Sequence, residues 1–158
     1  MLVKLRLNGR SVEEHAAPNM TLLKFLRDKL KMTSVKNGCD EGKCGACTVL
    51  LNAKPVCACL MLAVQVQGAE LTTLEGLSQQ GELSIIQTAF LEKFGYQCGF
   101  CTPGMILAAK ALLDQRPDPS AEEIKGALDG NLCRCTGYQQ IIESVQRAAQ
   151  MMQVSHDA

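Results

Sequence analysis

Residues 39–47 read Cys39-Asp-Glu-Gly-Lys-Cys44-Gly-Ala-Cys47, and Cys59 follows after eleven intervening residues. Three thiolates on one glycine-bearing loop, with a fourth from a neighbouring strand, have the plant-type spacing of a two-iron, two-sulfide cluster. The glycines have a physical task. A cluster with bridging sulfides is negatively charged and lies close to the main chain, so small residues let amide N–H groups reach sulfur. Such donors favour the reduced, more negative state. A four-cysteine structural zinc site is the competing reading, but it prefers two short Cys-Cys knuckles to three ligands on one loop.

Further along the chain the spacing is Cys98-x2-Cys101, then 31 residues, then Cys133-x-Cys135. Two pairs brought together from helix ends offer four more sulfurs. Pro103 marks a helix start, and free N–H groups at a helix N-terminus face anionic sulfur favourably. Spacing alone leaves zinc open at this second set. Beside a plant-type loop in the same chain, iron–sulfur is the favoured reading, and two adjacent clusters make a wire. Four plus four leaves one thiol of the nine. Cys57 and Cys59 lie two apart on one expected strand and could share a face, so the pattern does not choose the spare.

The rest of the composition narrows the classes. The chain has 158 residues, with 16 Lys plus Arg against 16 Asp plus Glu and no Trp. That balance gives no electrostatic footprint for nucleic acid or an anionic membrane. No apolar stretch approaches the roughly 18 residues of a membrane span. The opening MLVKLRLNGR lacks the apolar block of a secretory signal. Nine thiols without an export signal point to the reducing cytoplasm and to metal rather than to a disulfide scaffold.

The first half reads as strands and the second as helices. Val3, Leu5 and Leu7 alternate with polar residues, Asn8-Gly9 is a hairpin turn, and a second strand follows at Ser11 to His15. Thr21 to Leu30 reads as a short amphipathic helix. Thr48–Leu51 and Val56–Met61 form a second hairpin around Asn52 to Pro55, and Leu71–Leu74 is a last strand. From about Leu83 the period becomes 3.6, with Leu83, Ile86, Phe90 and Phe94 on one face and Gly95 as the stop. Thr102 as N-cap with Pro103 opens a helix to about Gln115, and Pro117-Asp-Pro119 breaks it. Ser120 to Glu123 is a capping box for Ala121–Leu128, and Thr136 to Gln139 resembles a second box opening the last helix. The linker falls between Thr73 and Gly81, which gives an α+β chain of two domains, 1–76 and 77–158.

Three motifs together carry a family resemblance: the loop from Cys39 to Val49, Gln97-Cys-Gly-Phe-Cys-Thr-Pro-Gly-Met105, and Gly130-Asn-Leu-Cys-Arg-Cys-Thr-Gly-Tyr138. In this order the chain resembles the small iron–sulfur subunit of the molybdenum hydroxylases, the superfamily of xanthine dehydrogenase, aldehyde oxidoreductase, carbon monoxide dehydrogenase and 4-hydroxybenzoyl-CoA reductase. The resemblance runs from about Val3 to Gln150. It implies an N-terminal β-grasp, plant-type ferredoxin-like domain holding one 2Fe-2S cluster through Cys39, Cys44, Cys47 and Cys59. It implies an all-α four-helix bundle holding the other through Cys98, Cys101, Cys133 and Cys135. Cys57 would then be the spare, a small buried hydrophobe. The resemblance also implies a large subunit with molybdopterin-bound molybdenum and a medium subunit with FAD, assembled as a dimer of heterotrimers. Gln97 and Cys135 would lie against the partner's pterin. Electrons would pass from molybdenum through the helical-domain cluster and the ferredoxin-like cluster to flavin, although 4-hydroxybenzoyl-CoA reductase runs the flow toward molybdenum. The substrate of such a complex is an N-heterocycle, an aldehyde or an aromatic compound, and this chain performs no substrate chemistry. Asn52-Ala53 departs from the family's frequent Asn-Gly, which bears on the turn type alone.

Other residues read more plainly. His15 and His156 fit surface positions better than ligand roles. Neither G-x-G-x-x-G nor a P-loop occurs, so nucleotide or FAD binding is not expected on this chain. Arg134 either offsets cluster charge or faces solvent, and Met105, Met151 and Met152 fit core packing. A free-standing ferredoxin-like carrier would not need the second cysteine set, and a zinc-stapled interaction module would hold about two zinc ions and no sulfide.

Overall fold

The computed structural model describes residues 1–78 and 80–156, the side chains of 155 and 156 excepted. It is a mixed α/β chain with a five-stranded sheet followed by helices. The strands are β1 (Leu2–Leu7), β2 (Arg10–His15), β3 (Thr48–Leu51), β4 (Lys54–Cys57) and β5 (Glu70–Thr72), in the spatial order β2-β1-β5-β3-β4. β1 and β5 are parallel, with Leu7 opposite Leu71, and the other neighbours are antiparallel. The alternation in β1 buries Val3, Leu5 and Leu7 and exposes Lys4 and Arg6, as a half-buried strand requires.

Both hairpins use positive φ at two successive turn residues, Asn8 and Gly9 in the first and Asn52 and Ala53 in the second. Ala53 sits at φ 65 where glycine would be unstrained, so the departure from Asn-Gly keeps the turn and costs backbone strain. β4 stops at Cys57 rather than Met61, because Ala58–Leu60 turn into a single 3-10 turn. The last strand likewise ends at Thr72, and Leu74–Gly76 form another such turn.

Helix α1 covers only Leu22–Lys24, capped by Thr21, whose hydroxyl accepts the Lys24 N–H at 3.3 Å. The expected helix to Leu30 continues as a wider turn over Phe25–Lys29, in which the Leu30 N–H reaches the Phe25 carbonyl at 3.1 Å. Widening keeps Leu22, Leu23, Phe25 and Leu26 all buried beneath the sheet.

In the second half, α2 spans Ile85–Glu92, α3 Thr102–Gln115, α4 Ala121–Leu128 and α5 Gln139–His156. Their apolar faces meet in one core of Ile86, Phe90, Met105, Ile124, Ile141 and Val145, among others. Three helix starts differ from the pattern reading. Ser84 caps α2, so Leu83 precedes the helix and Phe94 follows it at φ 53; both are exposed. Cys101 rather than Thr102 is the N-cap of α3, and among the described residues the buried Thr102 Oγ1 has no hydrogen-bond partner. Thr136 does not cap α5, since Gly137 and Tyr138 both take positive φ before the helix begins. The Ser120–Glu123 box forms as read.

Leu50, Leu107 and Ala111 form a small third core that seats α3 on β3. β3 is therefore buried on both faces, which is why Thr48–Leu50 are all buried without alternation. No helix among the described residues is long and apolar enough to cross a membrane.

Candidate metal centres

The first thiol group is built by a loop that coils tightly between α1 and β3. Asp40, Gly42 and Gly45 take positive φ in succession, which brings main-chain N–H groups to face inward. The Cys39 sulfur accepts from the N–H groups of Glu41 at 3.4 Å and Lys43 at 3.3 Å. The Glu41 N–H first, then the N–H and thiol of Cys44, lower the Cys39 pKa to about 7. Two glycines make room that a side chain would fill. A Cβ at Gly38 would stand 2.7 Å from the Cys44 sulfur, and one at Gly42 would stand 2.3 Å from Leu60 Cδ1.

Cys59 arrives from the other side. The Ala58 N–H donates to the Cys47 carbonyl at 3.2 Å and lays the turn carrying Cys59 beside Cys47. Burial, then the hydrogen bond with the Cys47 thiol, pushes Cys59 up to about 11, and burial also raises Cys47. Cys44 is the thiol that acts most directly on Cys39, and Cys47 the one that acts most directly on Cys59, with Cys57 also close to Cys47.

The second group is built from helix ends. Cys101 caps α3, Gly99 at φ 81 turns the chain so that Cys98 also reaches the site, and the 130–138 loop between α4 and α5 supplies Cys133 and Cys135. Tyr138 pins that loop by accepting the Cys133 N–H at 2.8 Å and donating to the Asn131 carbonyl at 3.3 Å. The Cys98 and Cys135 sulfurs are 3.6 Å apart, and Cys101 pairs with Cys133. Burial first, then Cys133, pushes Cys101 up to about 12. Burial also opposes the Cys133 thiolate, but Thr136 outweighs it, with its hydroxyl at 3.1 Å and its N–H at 3.4 Å from sulfur. Hydrogen bonding with Cys98 raises Cys135.

Among the described residues no three His, Cys, Asp or Glu side chains close on a single-ion point. Meeting in pairs suits a two-iron centre, in which each iron takes two protein sulfurs, better than one tetrahedral ion. The N–H donors and glycine cradles fit a negatively charged cluster as well. A 2Fe-2S group therefore suits both sets of residues.

The two thiol groups are joined through main chain. The Leu132 N–H donates to the Cys44 carbonyl at 2.9 Å, which places one hydrogen bond between Cys44 and the residue preceding Cys133. Asn131 Nδ2 reinforces it, reaching the Gly45 carbonyl at 3.0 Å and Thr48 Oγ1 at 3.2 Å. The approach is close on every side. A Cβ at Gly45 would stand 2.2 Å from the Gly130 carbonyl, and one at Gly104 would stand 2.5 Å from the Gly45 carbonyl. Asn131, Thr136 and Tyr138 were not read from the sequence as site residues, though all three lie inside the 130–138 motif, where a polar residue flanking a cysteine pair was the available signal.

Among the other residues, Gln97, Cys98, Arg134 and Cys135 are exposed, and so is His15 on the edge strand β2. The His156 side chain lies outside the described residues. Met105 is a core residue. Cys57 is half-buried, and its sulfur lies 3.9 Å from the Gly42 carbonyl. It packs against the core beneath the sheet.

A 2Fe-2S iron-sulfur cluster binding domain model matches residues 5–84, and a 2Fe-2S binding domain model matches residues 73–146. The small FeS subunit of nicotinate dehydrogenase from Eubacterium barkeri is 52% identical over 148 residues, 94% of each chain. Quinoline 2-oxidoreductase from Pseudomonas putida 86 contains a chain of the same fold, with a TM-score of 0.94 and 39% identity, covering 98% of this chain and 96% of that one. Aldehyde oxidoreductase from Desulfovibrio desulfuricans gives a TM-score of 0.94 at 42% identity, covering 97% of this chain and 17% of that longer one.

Proposed function

The chain belongs to the small iron–sulfur subunits of the molybdenum hydroxylases, oxidoreductases with a 2Fe-2S electron-transfer role, and from that premise we propose that it relays electrons between a molybdopterin centre and FAD held by partner subunits. The ligands in this reading are Cys39, Cys44, Cys47 and Cys59 for one cluster, and Cys98, Cys101, Cys133 and Cys135 for the other. When bound, the two 2Fe-2S clusters supply one-electron redox chemistry, each accepting and passing on a single electron.

The residues of this chain do the positioning. The single observation that carries the reading is the Leu132 N–H bond to the Cys44 carbonyl, which fixes the two thiol groups next to each other through main chain. Asn131 holds that contact against the sheet from a buried position. The N–H groups of Glu41 and Lys43 and the hydroxyl of Thr136 supply donors to sulfur, which favour a reduced, more negative site. Burial of Cys47 and Cys59 keeps water from one side of the first group.

In the same reading the chain divides into a β-grasp ferredoxin-like domain, 1–76, and a four-helix bundle domain, 77–158. Gln97 and Cys135, both exposed, meet the pterin of the large subunit. A medium subunit carries FAD, and the whole is a cytoplasmic dimer of heterotrimers that acts on an N-heterocycle, an aldehyde or an aromatic compound. The test is iron and acid-labile sulfide per chain in the isolated complex, with cryogenic EPR after dithionite. About four iron, four sulfide and two rhombic signals are expected for two such clusters. Two zinc ions without sulfide or signal would overturn the reading.

A further inference from the structure

Tyr138 is a bulky, half-buried aromatic residue, yet its φ is 71, and Gly137 before it is left-handed as well at 69. A large side chain in that region strains the backbone and stays there only where its surroundings hold it. The ring packs against the helical core, and the phenol supplies the rest. Its oxygen accepts the Cys133 N–H at 2.8 Å, and its single hydrogen goes to the Asn131 carbonyl at 3.3 Å, so the phenol has none left for sulfur. Asn131 is fixed in turn from the sheet half by the Gly45 carbonyl at 3.0 Å. The turn secured in this way points the Tyr138 N–H at Thr136 Oγ1, 3.2 Å away. Thr136 is buried, and with that N–H already on its oxygen the hydroxyl donates to the Cys133 sulfur at 3.1 Å.

We propose that Tyr138 is a positioning residue for the second cluster, holding the left-handed turn that commits the Thr136 hydroxyl to the Cys133 sulfur. It sets the potential of that cluster through Thr136 and not by a contact of its own. A donor to sulfur favours the reduced, more negative state, so releasing the turn weakens the donation and lowers the potential. The strain at φ 71 is therefore retained because the aim of one hydroxyl depends on it. The inference rests on the second cluster being held as proposed above.

The experiment compares wild type, Tyr138→Phe, Thr136→Val and the double variant as assembled complexes, by iron, sulfide and redox titration followed by EPR. Phenylalanine keeps the ring and removes the phenol oxygen alone. Wild type without iron, sulfide and both signals would be a failure of the cluster assignment and not of the positioning role. Tyr138→Phe is expected to lower the midpoint of the second signal, in the direction of Thr136→Val and by no more, with the first signal as internal reference. In the Thr136→Val background the tyrosine substitution is expected to add nothing. In Thr136→Ser, which keeps the hydroxyl, its shift is expected to return. A shift that persists beside Thr136→Val, or an unmoved midpoint in Tyr138→Phe, overturns the proposal. Loss of the second cluster's iron from Tyr138→Phe also overturns it, because the tyrosine would then be a strut of the loop and nothing more.

Discussion

In the sheet half, three of the four proposed ligand sulfurs sit on one nine-residue loop, and glycines at left-handed φ turn its N–H groups toward them. In the helical half the sulfurs come as two pairs 31 residues apart, and an α-helix cap with a tyrosine-pinned loop brings them together. The first group draws its donors from main chain, and the second draws one from the Thr136 side chain. A main-chain donor cannot be removed by substitution without bending the loop, whereas a hydroxyl can. The helical site is therefore the tunable one.

Removing one ligand from each half is the largest test of this contrast. Cys39→Ala and Cys101→Ala should each abolish one EPR signal and about half the iron, because each 2Fe-2S centre needs its own four sulfurs. Loss of both signals from either substitution would mean that the halves do not assemble independently. Gly45→Ala should act on both halves together. It forces a Cβ at φ 67 to within 2.2 Å of the Gly130 carbonyl, and a loss of about 3 kcal/mol in urea unfolding is expected.

Asn131→Leu should cost about 1 kcal/mol, because it removes the amide's bonds to the Gly45 carbonyl and the Thr48 hydroxyl while those two groups keep their bond to each other, and it should broaden both cluster signals. An unchanged urea midpoint would show that the Leu132 bond and the Leu50, Leu107 and Ala111 core hold the halves without Asn131. Thr136→Val should lower the potential of the second cluster only, by roughly 40 mV, the one-electron equivalent of about 1 kcal/mol for one hydrogen bond to sulfur. Redox titration followed by EPR resolves the two clusters, and an equal shift in both would break the contrast.

The smallest effect concerns Glu75. Burial alone would raise its pKa, but the hydroxyl and N–H of Ser34 and the Thr73 hydroxyl all donate to it and bring it below the usual 4.5. The stabilisation is therefore whole above pH 4.5 and is lost as pH falls through the lower folded-state value. Glu75→Gln should cost about 1 kcal/mol at neutral pH after solvent screening, and little in acid, by urea midpoints across pH.

What the sequence made legible was local. Alternation in Val3–Leu7, the Asn8-Gly9 turn and the Ser120 box each depend on neighbours within a few residues, and each forms. The misread elements are those in which a distant demand overrides a local signal. Thr136 looks like a cap, yet its hydroxyl goes to the Cys133 sulfur. The helix expected through Leu30 widens so that Phe25 and Leu26 both stay under the sheet. β4 ends early because Cys59 must turn toward Cys47. Asn131 reaching Gly45 spans 86 positions, and no periodicity or motif spacing encodes such a pairing.

The contact between the two thiol groups is written in main chain. Leu132 supplies an N–H and Cys44 a carbonyl, while the Leu132 side chain is 57% exposed and takes no part. Mutation can therefore replace residue 132 with almost any other without touching the contact, and surface drift at that position leaves no trace in it. Proline is the exception, because it alone lacks the hydrogen. A saturation library at 132 should accept polar, charged and apolar residues alike and reject one.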